Sequence, residues 1–445
     1  MKSWRQLWVR FSGGAGSTVF KGMATLAIGT GVARIIGVAS IPVLTRIYSP
    51  ADYGVLSVFT SLVLMLVPIV TLRYVVAIPL PRHDGLAMNL MALSAGLMLC
   101  ITLAVSLVLW AFGPVLLGLV SMEVLAPYWW LIVLGIVGTG SYELLSMWAT
   151  RRKAYRIIAQ TQVFQSAVGS FLKIGLGLLA LKPLGLLLGQ VVAQSGGSGS
   201  FVARFRSDFQ RTAGMVTLRR MAFTGRYYWG FPVYRLPSQF LMVFSMQAPL
   251  LFAAALYDAE TTGQLGLAMM ALALPVNLLG QSIGKAYYAE VAKLSRKAPG
   301  EILEITKSVQ KRLFAIGVPS ALAIIVFGPS LFSLIFGEIW FLAGIFASIL
   351  AVSLLFQITS APMIQVLNVF NQQKLFLAIN GVRAIMLISL YLVFSITNLS
   401  AILFTIAYSG LMTLFYLAIS YAVIRFLNVC QSARQNHDMA PPGPI

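Results

Sequence analysis

Long, nearly uncharged apolar stretches recur along the whole chain. A helix that crosses the hydrocarbon core of a bilayer needs about 20 mostly apolar residues. By this criterion the sequence predicts twelve transmembrane helices, at about 18–45, 53–78, 85–112, 125–149, 158–181, 183–203, 229–256, 262–288, 312–336, 340–369, 375–396 and 399–427. Since lipid offers no partner for backbone polar groups, the predicted fold class is an all-α integral membrane protein.

The composition excludes most soluble classes of protein. Hydrophobic residues make up 59% of the chain and charged residues 10%, against about 45–50% and about 25% in soluble domains. The net charge is +20, but the cations lie in short groups between apolar stretches, so we expect no nucleic-acid partner. The few cysteines and histidines form no cluster, which argues against a metal site or a disulfide framework.

The lysines and arginines predict the orientation in the membrane. With the N-terminus inside, 24 of the 32 fall in cytoplasmic segments and only two, Arg46 and Lys182, in outside loops. Cytoplasmic loops carry the excess of basic residues in membrane proteins. The sequence therefore predicts a multi-pass membrane protein with both termini in the cytoplasm.

A weak internal repeat divides the predicted helices into two halves. The motif "YSPADYG" (48–54) follows helix 1 as "YDAETTG" (257–263) follows helix 7, and "RRKAY" (151–155) matches "QQKLF" (372–376). Matches in the same order predict two six-helix lobes related by a parallel repeat, an arrangement that places a substrate path between the halves.

This repeat sets the predicted domain boundaries. The N-terminal lobe with its following cytoplasmic segment is predicted at 18–228 and the C-terminal lobe at 229–430. Residues 431–445 have the composition of a disordered cytoplasmic tail. Residues 1–17 fit equally well a short helix at the inner membrane interface and a disordered start.

Apart from Lys21, Arg312 and Arg425, which lie at the inner ends of their helices and count with the cytoplasmic segments, six cations remain within the predicted spans. They are the candidate substrate-binding residues: Arg34, Arg73, Lys173, Arg235, Lys285 and Arg383. Each costs roughly 2.5–3.5 kcal/mol at the centre of a membrane helix unless it is relieved. Those near the inner helix ends, Arg73, Arg235 and Lys285, have the alternative of extending to the interface. The others indicate a hydrated cavity that receives an anion.

One acid lies at membrane depth, Glu143, and it cannot neutralise six cations. It either pairs with a neighbouring cation or takes up a coupling proton. Amides on helices 7 and 8 are candidates for contacts with sugar hydroxyls, although bonds between helices are the commoner role: Gln239, Gln247, Asn277 and Gln281.

No pattern of catalytic residues is present. The sequence "GQSIGKA" (280–286) lacks the spacing of a phosphate-binding loop, and no carboxylate pair suits glycosyl transfer. We therefore expect a transporter rather than an enzyme. No cofactor is expected, and membrane potential, a proton and a sodium ion remain open as the coupling source.

Several stretches resemble bacterial polysaccharide flippases, the Wzx-type oligosaccharide flippases of the superfamily that includes the MATE multidrug exporters. They are "GVARIIGVASIPVLTRIYSPADYGVLSVFTS" (31–61), "TLRYVVAIPLPRHDGLAMNLMALS" (71–94), "PVYRLPSQFLMVFSMQAPLLFAAALYDAETTGQLGLA" (232–268) and "FGEIWFLAG" (336–344). Arg34 carries over by position, and Arg46 and Arg73 match motif arginines. Val75 stands where the family usually has an acid.

The resemblance implies two six-helix lobes around a V-shaped central cavity that work by alternating access. It implies that an isoprenoid (undecaprenyl)-pyrophosphate-linked oligosaccharide moves from the inner to the outer leaflet of the bacterial inner (cytoplasmic) membrane, for O-antigen, capsule or exopolysaccharide synthesis. The implied partners are that lipid-linked oligosaccharide, membrane lipids, a polysaccharide polymerase and a chain-length regulator.

Three alternatives are weighed against this interpretation. A multidrug or small-molecule exporter of the same fold is the first, but cationic drugs favour an acidic cavity. A membrane glycosyltransferase, polymerase or ligase would need larger outer loops and carboxylate pairs, and a channel would not explain the repeat.

Overall fold

A computed structural model describes residues 15–275, 298–360 and 373–438, together with 284, 287, 290, 291, 294, 362–364, 366 and 370. The regular elements in these ranges are all helical, and nine helices are long and apolar enough to cross a membrane. Large apolar side chains such as Leu107, Trp110 and Leu334 lie exposed on them, which is stable only in lipid. The predicted all-α membrane fold is confirmed; the count of twelve stays a prediction.

Residues 15–263 form one compact unit. Its helices are α1 (Ala15–Ile47), α2 (Pro50–Val70), α3 (Asp84–Gly118), α4 (Trp129–Arg151), α5 (Tyr155–Leu178), α6 (Leu184–Ser195), α7 (Ser198–Ala213), α8 (Leu218–Tyr227), α9 (Leu236–Leu256) and the start of α10 (Ala259–Pro275). Short 3₁₀ turns at Tyr74–Ala77 and Glu123–Tyr128 and a π-helical turn at Phe231–Arg235 complete it.

The second compact unit begins at Gln264. Its helices are the rest of α10, α11 (Pro299–Phe336), α12 (Phe341–Ser360), α13 (Gln373–Thr397) and α14 (Ala401–Asp438). The sequence repeat places the boundary between lobes at 228, but α9 packs against α2 and so belongs to the first unit. The lobe boundaries drawn from the repeat stay a prediction.

The turn between α1 and α2 is built by a helix cap. The Ser49 hydroxyl accepts a hydrogen bond from the Asp52 backbone N–H (3.2 Å), and the Asp52 carboxylate accepts one from the Ser49 N–H (2.9 Å). Pro50 occupies the first helical position, where its missing N–H costs nothing. In the matching motif, Asp258 accepts from the Thr261 N–H (2.6 Å) where α10 starts. Both motifs therefore begin a helix.

Polar side chains of α5 bind this helix to α1. The Thr30 hydroxyl donates to the Gln162 side-chain oxygen (2.6 Å), and the Ser166 hydroxyl donates to the Ala33 carbonyl (2.5 Å). The two helices approach closely at Gly29, where a Cβ atom would overlap Ala159 of α5. Hydrogen bonds and small residues, rather than apolar burial, hold helices together in lipid.

The predicted helix 183–203 is not continuous, which corrects the sequence interpretation. Helix α6 ends at Ser195 and α7 starts at Ser198 after Gly197, whose φ is +83°. Only glycine adopts this backbone readily, and a side chain there would also crowd Thr161 of α5. With 12 residues, α6 is too short to span the bilayer alone.

In the second unit α11 packs closely along α12. Gly328 and Gly344 face each other, and a Cβ on Gly344 would press on Pro329 (2.5 Å). The Gln264 amide donates to the Ile339 carbonyl (2.6 Å) and its oxygen accepts from the Ala343 N–H (2.9 Å). These bonds fix the short turn between α11 and α12.

A buried asparagine fixes the loop between α7 and α8. The Asn89 amide, fully buried in α3, donates to the Met215 carbonyl (2.9 Å) and accepts from the Thr217 N–H (3.0 Å). The amide thus bonds two backbone groups of the loop, and the Met215 carbonyl also accepts a hydrogen bond from the Arg220 guanidinium (3.2 Å).

We predict that Asn89→Ala loosens this loop, because a buried polar group left unbonded costs about 1–3 kcal/mol. Limited proteolysis in detergent should cut between α7 and α8 at least about fivefold faster than in the wild type. The control variant Asn428→Ala, changed at an exposed site on α14, should be cut at the wild-type rate. Equal rates for all three proteins would show that the loop does not depend on Asn89.

Candidate substrate-binding site

Arg34 lies about midway along α1, half-buried beside the face that packs on α5. The ion pairs in the described residues involve other arginines, so no described carboxylate lies within 4 Å of its guanidinium. An unneutralised cation at this depth is costly unless water or an anion reaches it. Arg34 can therefore bind an anion without first breaking an ion pair.

Lys173 lies on α5 and is buried. Its ammonium donates to the Gln190 side-chain oxygen of α6 (2.7 Å), and the Tyr48 hydroxyl donates to its backbone carbonyl (2.8 Å). Gly189 leaves room for the lysine stem, since a Cβ there would overlap it. Lys173 thus has a neutral partner and no described counter-charge.

Arg73 and Glu143 form an ion pair inside the first unit. Arg73 follows α2 in a left-handed backbone conformation (φ +59°), and its guanidinium lies 2.9 Å from the Glu143 carboxylate of α4. The Arg73 Nε and the other Glu143 oxygen are buried without hydrogen-bond partners in the described part of the chain. Of the two roles considered for Glu143, the structure therefore shows the charge pair, while a coupling role stays a prediction.

We predict that Arg73→Ala or Glu143→Ala lowers stability by about 3–5 kcal/mol, because each leaves an uncompensated buried charge. The yield of monodisperse protein after heating in detergent, read by fluorescence size-exclusion, measures this. The exchange Arg73→Glu with Glu143→Arg should recover part of the loss. Single variants as stable as the wild type would contradict the pairing.

The polar residues of α9 have different surroundings. Arg235 is exposed at the end of the π-helical turn, and Gln239 is half-buried one turn later. The Gln247 side-chain oxygen accepts from the Ser61 hydroxyl of α2 (3.1 Å), which joins two helices. A sugar-binding role for Gln239 and Gln247 stays a prediction.

Arg383 lies on α13 in the second unit and contacts aromatic residues of α14. Its guanidinium is 5.8 Å from the Phe415 ring and 5.9 Å from the Tyr416 ring, and it hydrogen-bonds the Tyr408 side chain. Ring faces stabilise a cation where water is excluded. The other site residues predicted from sequence, Lys285, Asn277 and Gln281, lie outside the described residues.

Sequence reasoning missed the partners of these cations. Gln190, Tyr48 and Tyr408 contact them but lie 17 or more residues away along the chain. For Lys173, the one sign of a partner in the sequence was Gln190, a polar residue within the short apolar helix α6. Among the described candidates, Lys173 and Arg383 are held by neutral side chains, and Arg73 forms the single ion pair.

Comparison with known proteins assigns the chain to a family. The model of the family described as "Polysaccharide biosynthesis protein" matches residues 43–344, more than half of the chain. The chain belongs to this family. The resemblance to polysaccharide flippases drawn from the sequence motifs is thereby confirmed. A search of the curated proteins finds no match.

Solved structures share the fold of this member of the polysaccharide biosynthesis protein family. A structure of the lipid II flippase MurJ, in an inward closed conformation, has a TM-score of 0.64 at 15% identity and covers 91% of each chain. An inward-facing multidrug resistance MATE family transporter of the MOP superfamily has a TM-score of 0.58 at 14% identity, and the match covers 92% of this chain and 95% of the transporter. A MATE in complex with MaL6 has a TM-score of 0.56 at 15% identity, and the match covers 93% of this chain and 97% of that protein. These likenesses show the fold alone.

Proposed function

We propose that this protein is a flippase for an isoprenoid-pyrophosphate-linked oligosaccharide. It moves the oligosaccharide repeat unit from the inner to the outer leaflet of the bacterial cytoplasmic membrane, by alternating access. The product feeds O-antigen, capsule or exopolysaccharide synthesis. Family membership supports a role in polysaccharide biosynthesis, and the shared fold with flippases and exporters supports transport.

The observation that carries the proposal is the excess of membrane-depth cations over acids. Arg34 and Lys173 have no described acidic partner, and Glu143 is already bound to Arg73. Arginine binds phosphate oxygens through paired, charge-assisted N–H bonds. A pyrophosphate brings the missing negative charge, while the isoprenoid tail remains in the bilayer.

The rival is an exporter of small molecules with the same fold, since MATE transporters share it. The charge balance disfavours cationic drugs as substrates, because they would meet unneutralised arginine and lysine. We further expect the lipid-linked oligosaccharide to pass to a polymerase and its chain-length regulator. Coupling by membrane potential, protons or sodium ions remains open to experiment.

Depletion of the protein in its own cell tests this proposal. We expect lipid-linked oligosaccharide to accumulate, protected from glycosidase added outside to spheroplasts, and surface polysaccharide to fall. A plasmid copy of the wild type should restore both. Unchanged surface polysaccharide, with loss of resistance to small molecules instead, would favour the exporter.

A further inference from the structure

Helix α8 presents arginines and aromatic rings on one exposed surface. Arg219, Arg226, Phe223 and Tyr227 all point away from the protein, and Phe223 stacks on Tyr227 with 6.2 Å between ring centroids. Phe223 is 60% exposed and Tyr227 72%. Neither arginine has a described acidic partner. We call Arg219, Phe223, Arg226, Tyr227 and Trp229 the α8 patch.

The opposite face of α8 is firmly attached to the protein. Thr224 is buried, and the Tyr74 hydroxyl donates to the Gly225 carbonyl (2.9 Å). Leu93 of α3 lies close to Gly225, where a Cβ would come within 3.1 Å of it. The α8 patch is therefore displayed on a fixed helix, and its aromatic residues remain exposed although α8 has a packing face of its own.

Charge also favours an anionic occupant. Residues 209–257 contain five arginines and no aspartate or glutamate. The helix lies at the inner end of α3, beside Asn89, and leads directly into the membrane helix α9. Under the predicted orientation this is the level of the inner-leaflet headgroups, whose negative charge attracts basic residues.

The neighbouring helix α7 provides a contrast within the same segment. It also carries exposed arginines, Arg204 and Arg206, but its outward surface otherwise consists of small and polar residues such as Ser207 and Gln210. Its phenylalanines Phe201 and Phe205 are buried, and Val202 is the large apolar side chain exposed along it. A helix surrounded by water has this composition, whereas aromatic rings among arginines are typical of the membrane interface.

We propose that the α8 patch is a binding site for anionic phospholipid headgroups of the inner leaflet. The guanidinium groups of Arg219 and Arg226 bind the lipid phosphates. Phe223, Tyr227 and Trp229 insert at the level of the ester groups. The α8 patch contains none of the residues proposed to bind the transport substrate.

Photo-crosslinking tests the proposal with the full-length protein in nanodiscs of phosphatidylcholine and phosphatidylglycerol. The probe is phosphatidylglycerol carrying a headgroup diazirine, and cross-linked peptides are mapped by mass spectrometry. We expect labelling at 218–229, reduced at least about fivefold in Arg219→Gln/Arg226→Gln and weakened by high salt. The matched control Arg204→Gln/Arg206→Gln should label as the wild type does.

Three results would overturn the proposal. Equal labelling of the wild type and the Arg219→Gln/Arg226→Gln variant would show that the patch does not bind the headgroup. An equal loss of labelling in the α7 control would show that the effect reflects only the total positive charge and not a site on α8. Displacement of the probe, present in excess, by polyprenyl pyrophosphate at an amount equal to that of the protein would assign the site to the transport substrate instead.

Discussion

Replacing Arg34 with alanine is expected to slow translocation of the lipid-linked oligosaccharide by about 10- to 100-fold without unfolding the protein. A hydrogen bond to a charged group is worth about 1.5–3 kcal/mol, and about 1.4 kcal/mol is tenfold in an equilibrium. Because Arg34 has no described acidic partner, its removal leaves no carboxylate unpaired. The loss should therefore appear in transport and not in stability.

The measurement is the initial rate in proteoliposomes, compared at equal amounts of inserted, monodisperse protein. Arg34→Lys should retain part of the rate, since it keeps the charge but loses the paired donors. Arg204→Ala, at an exposed site on α7, is the control and should transport normally. A normal rate for Arg34→Ala would remove Arg34 from the binding site.

Substituting Gly54 or Gly263 with alanine is expected to destabilise the contact between α2 and α10. A Cβ on Gly54 would overlap the Ala259 carbonyl oxygen, and a Cβ on Gly263 would overlap the Pro50 carbonyl oxygen. The start of α2 and the start of α10 therefore touch through backbone atoms that cannot yield as a side chain would. Overpacking of this kind costs about 1–3 kcal/mol or more.

Thermal unfolding in detergent measures this effect. Gly54→Ala and Gly263→Ala should both unfold at clearly lower temperature than the wild type. Gly96→Ala on α3 is the matched control, because no atom lies within 4 Å of its added Cβ and alanine favours a helix over glycine. It should unfold at the wild-type temperature or slightly above, and a similar loss in all three would refute the close contact.

The sequence was sufficient for features that depend on local pattern. Long apolar stretches predicted the membrane helices, and the motif "YSPADYG" (48–54) was placed correctly after the first of them. The repeat showed Gly54 and Gly263 at matching positions. It did not show why glycine is needed there, because that depends on which backbone atoms each glycine approaches. Periodicity carries no information about that contact.

Features that depend on distant partners could not be predicted. The small residues of "QSGGSGS" (194–200) fit both a linker and a close-packing helix face, and the sequence alone does not separate the two. The predicted helix 183–203 used the second interpretation, and the break at Gly197 shows that it was wrong. The pairing of Arg73 with Glu143 joins residues 70 positions apart. Lys173 and Gln190, which binds its ammonium, lie 17 positions apart on different helices.

The most direct test of the central claim is transport by the purified protein in proteoliposomes that contain a polyprenyl-pyrophosphate-linked oligosaccharide. A glycosidase that cannot cross the membrane reports which leaflet holds the sugar, and a cationic dye is followed in parallel. We predict protein-dependent movement of the oligosaccharide between leaflets and no accumulation of the dye. Dye transport, with the oligosaccharide moving no faster than in protein-free vesicles, would contradict the account.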